Sequence, residues 1–256
     1  MKQSVILWIA AGIITLLVGY TQSTTSPLYP INGTIKLKDG YEASYRFDKV
    51  FHGKGDYQVL IASDKKDLSG VLEWRLNPDT SNWQTVQLKN NKGALIAFIP
   101  HQKTLSQVEY RVILNDGRKK VFLPQTINAT LKFLGFVPPE ISQFYFITLF
   151  AGILLAIRTG LEVFKEKPRI KMYTIFTLIS FFSFTFVFST VKKGCELGVI
   201  GGTRIASLQE LFPITPVILF SAWVVALILV FNTRKSKMWA AVFSLVTVII
   251  FLAGNF

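Results

Sequence analysis

Few side chains in this 256-residue chain have the type and spacing for chemistry. The two histidines, His52 and His101, each stand beside a turn-forming residue, in Phe51-His52-Gly53 and Pro100-His101-Gln102. A metal pair would need both imidazoles adjacent in space and a carboxylate such as Asp48 or Asp56 joining them. No ligand spacing supports that, so solvated loop histidines are the expectation. No histidine falls in an apolar run, which excludes bis-histidine haem ligation inside a bundle. The single cysteine, Cys195, excludes a disulfide scaffold and reads as a plain loop residue rather than a reactive or lipidated one. No cofactor and no metal site is expected.

Two pairs of opposite charge are more informative. Arg158 and Glu162 stand four apart within an otherwise uncharged apolar run, so they can pair across one helical turn. Ionisable residues in such a run are candidate functional groups by default. Both lie in its last turns, and the simpler expectation is that Arg158 extends to the headgroups with no further role. The second set is Glu196, Arg204 and Glu210, in a loop over 192–210 that contains Gly198, Gly201 and Gly202. Here Thr203 to Phe212 could form a short amphipathic helix on the surface. The functional reading is an anion pocket or a docking surface with Arg204 and backbone N–H groups as donors. The alternative is an ordinary loop, with Pro213 and Pro216 opening the next helix. Acid–base catalysis would need Glu196, Glu210, Arg204 and His101 to converge, and no motif supplies that geometry.

The elements that carry these residues follow from composition. Half the residues are hydrophobic, 17% are charged and the mean hydropathy is +0.41, too apolar for a soluble domain of this size. Five runs near the length that crosses a bilayer stand out: Val5 to Tyr20, then roughly Ile141 to Phe164, Met172 to Val191, Leu211 to Phe231 and Met238 to Phe256. The 24–140 segment between the first two holds 16 of the 28 Lys and Arg and 11 of the 15 Asp and Glu, a net charge of +5. Short segments on one side of the spans hold eight basic residues, including Lys165 to Lys171 and Arg234 to Lys237, against three on the other. The positive-inside rule then places the N-terminus in the cytoplasm and both residues 24–140 and the C-terminus outside. Met-Lys-Gln before a short apolar core also describes a secretory signal, but no A-x-A-like site follows, and a retained anchor is expected.

Within 24–140, period-two alternation and turn signals recur about every ten residues, the pattern of an all-β sandwich. Expected strands include Ile31 to Lys38, Glu42 to Val50, Tyr57 to Ala62, Gly70 to Asn77, Trp83 to Leu88, Ala94 to Ile99, Val108 to Leu114 and Lys119 to Leu123, with a ninth over Thr126 to Phe133. Asp116-Gly117 and Lys38-Asp39-Gly40 are hairpin-turn signals. Trp74 and Trp83 are expected at the centre and rim of the sandwich. The run LEWRL (72–76), WQTVQL (83–88), ALIAFIP (94–100) and VEYRVILNDG (108–117) resembles the fibronectin type III and immunoglobulin-like modules of bacterial envelope proteins. The resemblance covers about residues 30–133 and rests on packing and turn motifs. It implies a sandwich that binds or spaces, carries no catalytic residues, and points to a bacterial inner membrane.

The expected fold class is thus an α + β membrane protein: an anchor over 1–23, an extracytoplasmic β-sandwich over 24–140 and a four-helix transmembrane bundle over 141–256. The Phe- and Ser/Thr-rich third run, with Thr177 and Ser180 on one face, is expected to pack within the bundle or against another subunit. Three functions fit. The first is a non-catalytic protein whose sandwich binds a protein or glycan while the bundle anchors it in a larger assembly. The others are a transport or channel subunit and an enzyme at the outer interface. Expected partners are the lipid bilayer and a protein, with no nucleic acid; topology and anionic lipid account for the basic loops.

Overall fold

The computed structural model describes residues 2–37, 40–65, 67–77, 82–91, 93–115 and 119–254. The chain forms two units: one of Met1–Pro27, Val137–Cys195 and Val199–Phe256, the other of Leu28–Phe136 with Glu196–Gly198.

The first unit is helical. Helix α1 spans Lys2–Thr25, α2 spans Pro139–Leu161 and runs into a 3-10 turn over Glu162–Phe164, and α3 spans Ile170–Phe182. A π-helical stretch over Ser183–Ser189 joins α3 to α4 (Thr190–Glu196), so Ile170–Glu196 is one continuous 27-residue helix. A single turn, α5 (Leu208–Leu211), precedes α6 (Ile214–Asn232) and α7 (Ser236–Ala253). Five of these helices are long and apolar enough to cross a membrane, the shortest with 18 residues, about 27 Å at 1.5 Å per residue. Pro139 starts α2 where its missing N–H is not needed, and Pro213 takes the same role at the cap of α6.

Helix α2 contacts α1, α3 and α7, and its Gly152, Ile153, Ala156 and Ile157 are buried. Their core is shared with Ala11, Phe181, Phe184, Trp223 and Phe251. Buried and half-buried hydroxyls tie the helices together. Thr159 and Thr177 are 3.3 Å apart, Ser180 donates to the Thr148 carbonyl at 3.0 Å, and the Trp223 indole N–H donates to Thr247 at 2.9 Å. At the π stretch the Thr190 hydroxyl reaches the carbonyl of Thr185, five residues back, at 2.9 Å, while Thr185 itself bonds the Pro216 carbonyl at 3.0 Å. The Thr190 hydroxyl thus satisfies a carbonyl that the widened turn presents, and the Thr185 hydroxyl ties that turn to α6.

The second unit contains two β-sheets. Strands β1 (Ile31–Lys36), β2 (Glu42–Phe47), β3 (Val50–Phe51), β4 (Tyr57–Ser63), β5 (Ser69–Asn77) and β6 (Gln84–Gln87) are followed by β7 (Lys89–Asn91), β8 (Ala94–Ile99), β9 (Gln107–Asn115), β10 (Lys120–Leu123) and β11 (Ala129–Phe133). One sheet has the order β1-β2-β4-β8-β7; the other has β3-β11-β9-β5-β6, with β10 also on β9. All pairings are antiparallel except β3 with β11. Strictly alternating strands line one core: Tyr57, Val59 and Ile61 of β4 meet Val108, Tyr110 and Val112 of β9, all at most 4% exposed.

Two expected strands divide. The run Glu42 to Val50 breaks after Phe47, and β3 passes to the other sheet. At the break the Asp48 N–H donates to the Tyr57 hydroxyl at 3.0 Å, and the Tyr110 hydroxyl donates to the Asp48 carbonyl at 3.2 Å. Two tyrosines thereby replace the ladder partners that Asp48 gives up. Burial raises both phenols above their usual range, Tyr110 well above it. The run Trp83 to Leu88 likewise ends at Gln87, Leu88 donates its N–H to Gly70 at 3.0 Å, and β7 continues in the opposite sheet. The Asp116-Gly117 turn lies outside the described residues. Of Lys38-Asp39-Gly40, Gly40 alone is described, with φ +81°.

Candidate interaction surfaces

Arg158 and Glu162 are fully buried charges of the helical unit. Their side chains are 0% exposed and 2.6 Å apart. The guanidinium carbon lies 5.3 Å from the Trp8 ring centroid and 4.8 Å from that of Tyr173, with Ser4 at 3.4 Å. Glu162 also faces Lys165 at 3.3 Å and accepts the Arg169 backbone N–H at 2.7 Å. The expectation that Arg158 reaches outward to headgroups is therefore corrected. Three helices enclose it, with a carboxylate one turn away and two aromatic faces beside it, while its Nε and Nη1 make no hydrogen bond.

Arg204 and Glu210 form a second pair at 2.6 Å, in the segment between α4 and α6. Glu210 also closes a capping box. It accepts the Ser207 backbone N–H at 2.9 Å, while its own N–H donates to the Ser207 hydroxyl at 3.4 Å. The Ser207 N–H is the main cause that holds the Glu210 carboxyl below the usual carboxylate range, with Arg204 adding to it. Helix α5 is only one turn, shorter than the Thr203 to Phe212 helix expected, since Ser207 caps it and Gly201 before it has φ +79°. Glu196 is buried, and its carbonyl accepts the Gly135 N–H at 2.8 Å. The Arg158 pair lies by Tyr173, near the start of the 27-residue Ile170–Glu196 helix, and the Arg204 pair lies in the segment that follows its end.

The outward faces of the two sheets differ in character. On β5 and β9, Glu73 pairs with Arg111 and Arg75 with Glu109, each at 2.7 Å across a directly opposed position. Both guanidinium carbons lie 4.5 Å from the Trp83 ring centroid. Trp83 is thus on the outer face, while Trp74 is buried in the core. Asn128 donates to Glu109 at 2.6 Å, and this bond, with Arg75, holds the Glu109 carboxyl below its usual range. On this face the charges pair with one another around Trp83, with Phe122, 46% exposed, beside Arg111.

The face of β4 and β8 is apolar. Leu60 stands opposite Ile96, Ala62 opposite Ala94 and Phe98 opposite the exposed Gln58; Leu60 is 42% and Phe98 50% exposed. A cleft of about 520 Å³ opens beside Ile96 and Phe98, rimmed by Lys89 and Asn91. A depression of about 340 Å³ lies beside Leu60 and Ala62, rimmed by Ser44 and Arg46. None of Arg158, Glu162, Glu196, Arg204 and Glu210 lies here. The signal was present nonetheless: VLIA over 59–62 and ALIAFI over 94–99 are continuously apolar, where a half-solvated antiparallel strand alternates.

His101 is held in a turn, its backbone N–H on Asp56 at 2.9 Å and its ring edge-on to Phe133. Among the described residues no three His, Cys, Asp or Glu side chains group as metal ligands. No family model matches this chain, and no curated protein is similar to it.

Proposed function

We propose that this is a non-catalytic integral membrane protein whose outward β unit binds a protein partner through the Leu60, Ile96 and Phe98 face. The bundle would hold that unit in a larger membrane assembly, with the N-terminus cytoplasmic. Five helices of sufficient length and apolarity support the membrane reading. The excess of Lys and Arg in 165–171 and 234–237 supports the orientation.

An immunoglobulin-type reading of the β unit is supported by the strand orders β2-β4-β8-β7 and β11-β9-β5-β6, the parallel β3 beside β11, and a buried Trp74 on β5. The observation that carries the binding proposal is the contrast between the faces. One saturates its charges internally; the other leaves opposed aliphatic and aromatic side chains uncovered beside a cleft, which marks interaction sites on soluble surfaces. The Leu60–Ile96 pair and Phe98 favour a protein over a glycan, because aliphatic and aromatic side chains form the core of protein interfaces.

A photo-crosslinking residue at Phe98, in the full chain in its native membrane, tests this. A discrete adduct at 98, absent when the crosslinker stands at Phe122 of the other sheet and lost with Leu60→Glu, is the expected result. Equal labelling at both positions, or none at 98, overturns the proposal.

A further inference from the structure

The segment 199–213, between α4 and α6, is built rather than loose. The Val199 and Ile200 N–H groups both bond the Gly194 carbonyl, at 2.9 and 3.1 Å. The Phe212 ring packs 5.9 Å from that of Phe186. Its Arg and its Glu, Arg204 and Glu210, are paired with each other, and the capping box takes up the Ser207 and Glu210 N–H groups. Yet the most exposed large apolar side chains of the helical unit include Ile205 at 94%, Leu208 at 74% and Ile214 at 70%. A fixed loop that holds isoleucine and leucine outward bears the full cost of hydrating them unless something covers it.

We infer that this segment lies in the outer membrane–water interface, with Ile205 and Leu208 inserted at the boundary between headgroups and acyl chains. The inference rests on the membrane reading above. Three observations select lipid as the occupant. Its C-terminal end leads into α6, a helix long and apolar enough to span, and Phe212 packs there on Phe186 within the Ile170–Glu196 helix, so the segment descends to the level at which α6 begins. The exposed apolar stripe of α6, Ile214, Ile218, Val225 and Ile228, runs into it at Ile214. Pairing Arg204 with Glu210 leaves the segment without net charge, which lowers the cost of leaving bulk water. Amphipathic interfacial segments bury their apolar side about 5–10 Å into this boundary. The segment would fix the level of the bundle in the bilayer and tie the Arg204–Glu210 pair to the headgroup layer.

Spin labels report this directly. Single cysteines replace Ile205, Leu208, Gln209, Leu245 or Phe122 in the full chain, with Cys195→Ser as background, in nanodiscs of phosphatidylcholine and phosphatidylglycerol. Each is read for collision with oxygen and with a water-soluble nickel chelate, using preparations that elute as the parent does. Labels at 205 and 208 should favour oxygen over nickel, at a shallower depth than the label at 245, while 209 and 122 favour nickel. Water-like values at 205 and 208 with a lipid-like value at 245 overturn this inference and leave the membrane reading standing. Low access to both reagents at 205 and 208 also overturns it, since protein then covers the segment. A water-like value at 245 sinks the membrane reading itself.

Discussion

The guanidinium of Arg158 lies over the indole of Trp8, 5.3 Å from its centroid, although the two residues stand 150 positions apart. This contact joins α1 to α2 at a buried ion pair whose partner, Glu162, is itself 0% exposed. Breaking such a pair from one side costs about 3–5 kcal/mol, because the remaining charge stays buried, whereas replacing both partners by apolar residues is near neutral. Arg158→Leu should therefore lower stability to SDS-induced unfolding by about that amount. Arg158→Leu with Glu162→Leu should recover most of the loss. Equal losses in the single and double variants would show that the pair contributes through its bulk alone.

The same contact bears on whether α1 stays in the bundle. Ala11 of α1 is fully buried in the helical core, Gln3 bonds the Phe164 carbonyl at 3.0 Å, and a Cβ at Gly19 would stand 2.8 Å from the Phe150 ring. A removable leader gains nothing from such fitted contacts. The intact mass of the chain purified from its membrane should include residues 2–23. Trp8→Ala should make α1 more accessible to a protease, and the intact mass of that variant should still include residues 2–23.

Much of this fold was legible because its elements follow simple periodicities. Continuous apolar runs gave the five helices, and strict alternation gave strands such as Val108 to Leu114. What escaped was decided by partners distant in sequence. No local signal marks Asp48 as a crossing point, since the hydroxyls that receive its backbone come from Tyr57 and Tyr110. Arg158 was placed at a helix end by counting residues, and only the tertiary fold brings Trp8 and Tyr173 around it. The apolar β4–β8 face was visible as unbroken apolar runs, but those runs acquire meaning only once Leu60 and Ile96 are opposed.

Close approach of α2 and α7 gives a further test. A Cβ at Gly160 would stand 2.5 Å from the Cβ of Ser244, so one helix must move to accept alanine. Overpacking of this kind costs about 1–3 kcal/mol, against up to about 1 kcal/mol gained in helix propensity. Gly160→Ala should thus be destabilising, and Ser244→Gly in the same chain should restore part of the loss. An unchanged unfolding midpoint for Gly160→Ala would show that the two helices separate freely here.

The Glu109 carboxylate predicts a pH dependence for the β unit. Its pKa is lowered in the folded chain, by Asn128 first and Arg75 next, so folding favours the ionised form. The stabilisation is complete above the unfolded carboxylate pKa, about 4.3, and is lost as pH falls through the lowered folded value. Glu109→Gln removes the charge at every pH. The wild-type chain should therefore be the more stable at pH 7, and its advantage over Glu109→Gln should shrink below about pH 4 as the carboxylate takes up its proton. Urea unfolding of both full-length chains from pH 7 to pH 3, followed by tryptophan fluorescence, measures that difference. A gap that stays constant over the whole range would mean that the ionised form of Glu109 makes no separate contribution, and that the Arg75 and Asn128 contacts act through packing instead.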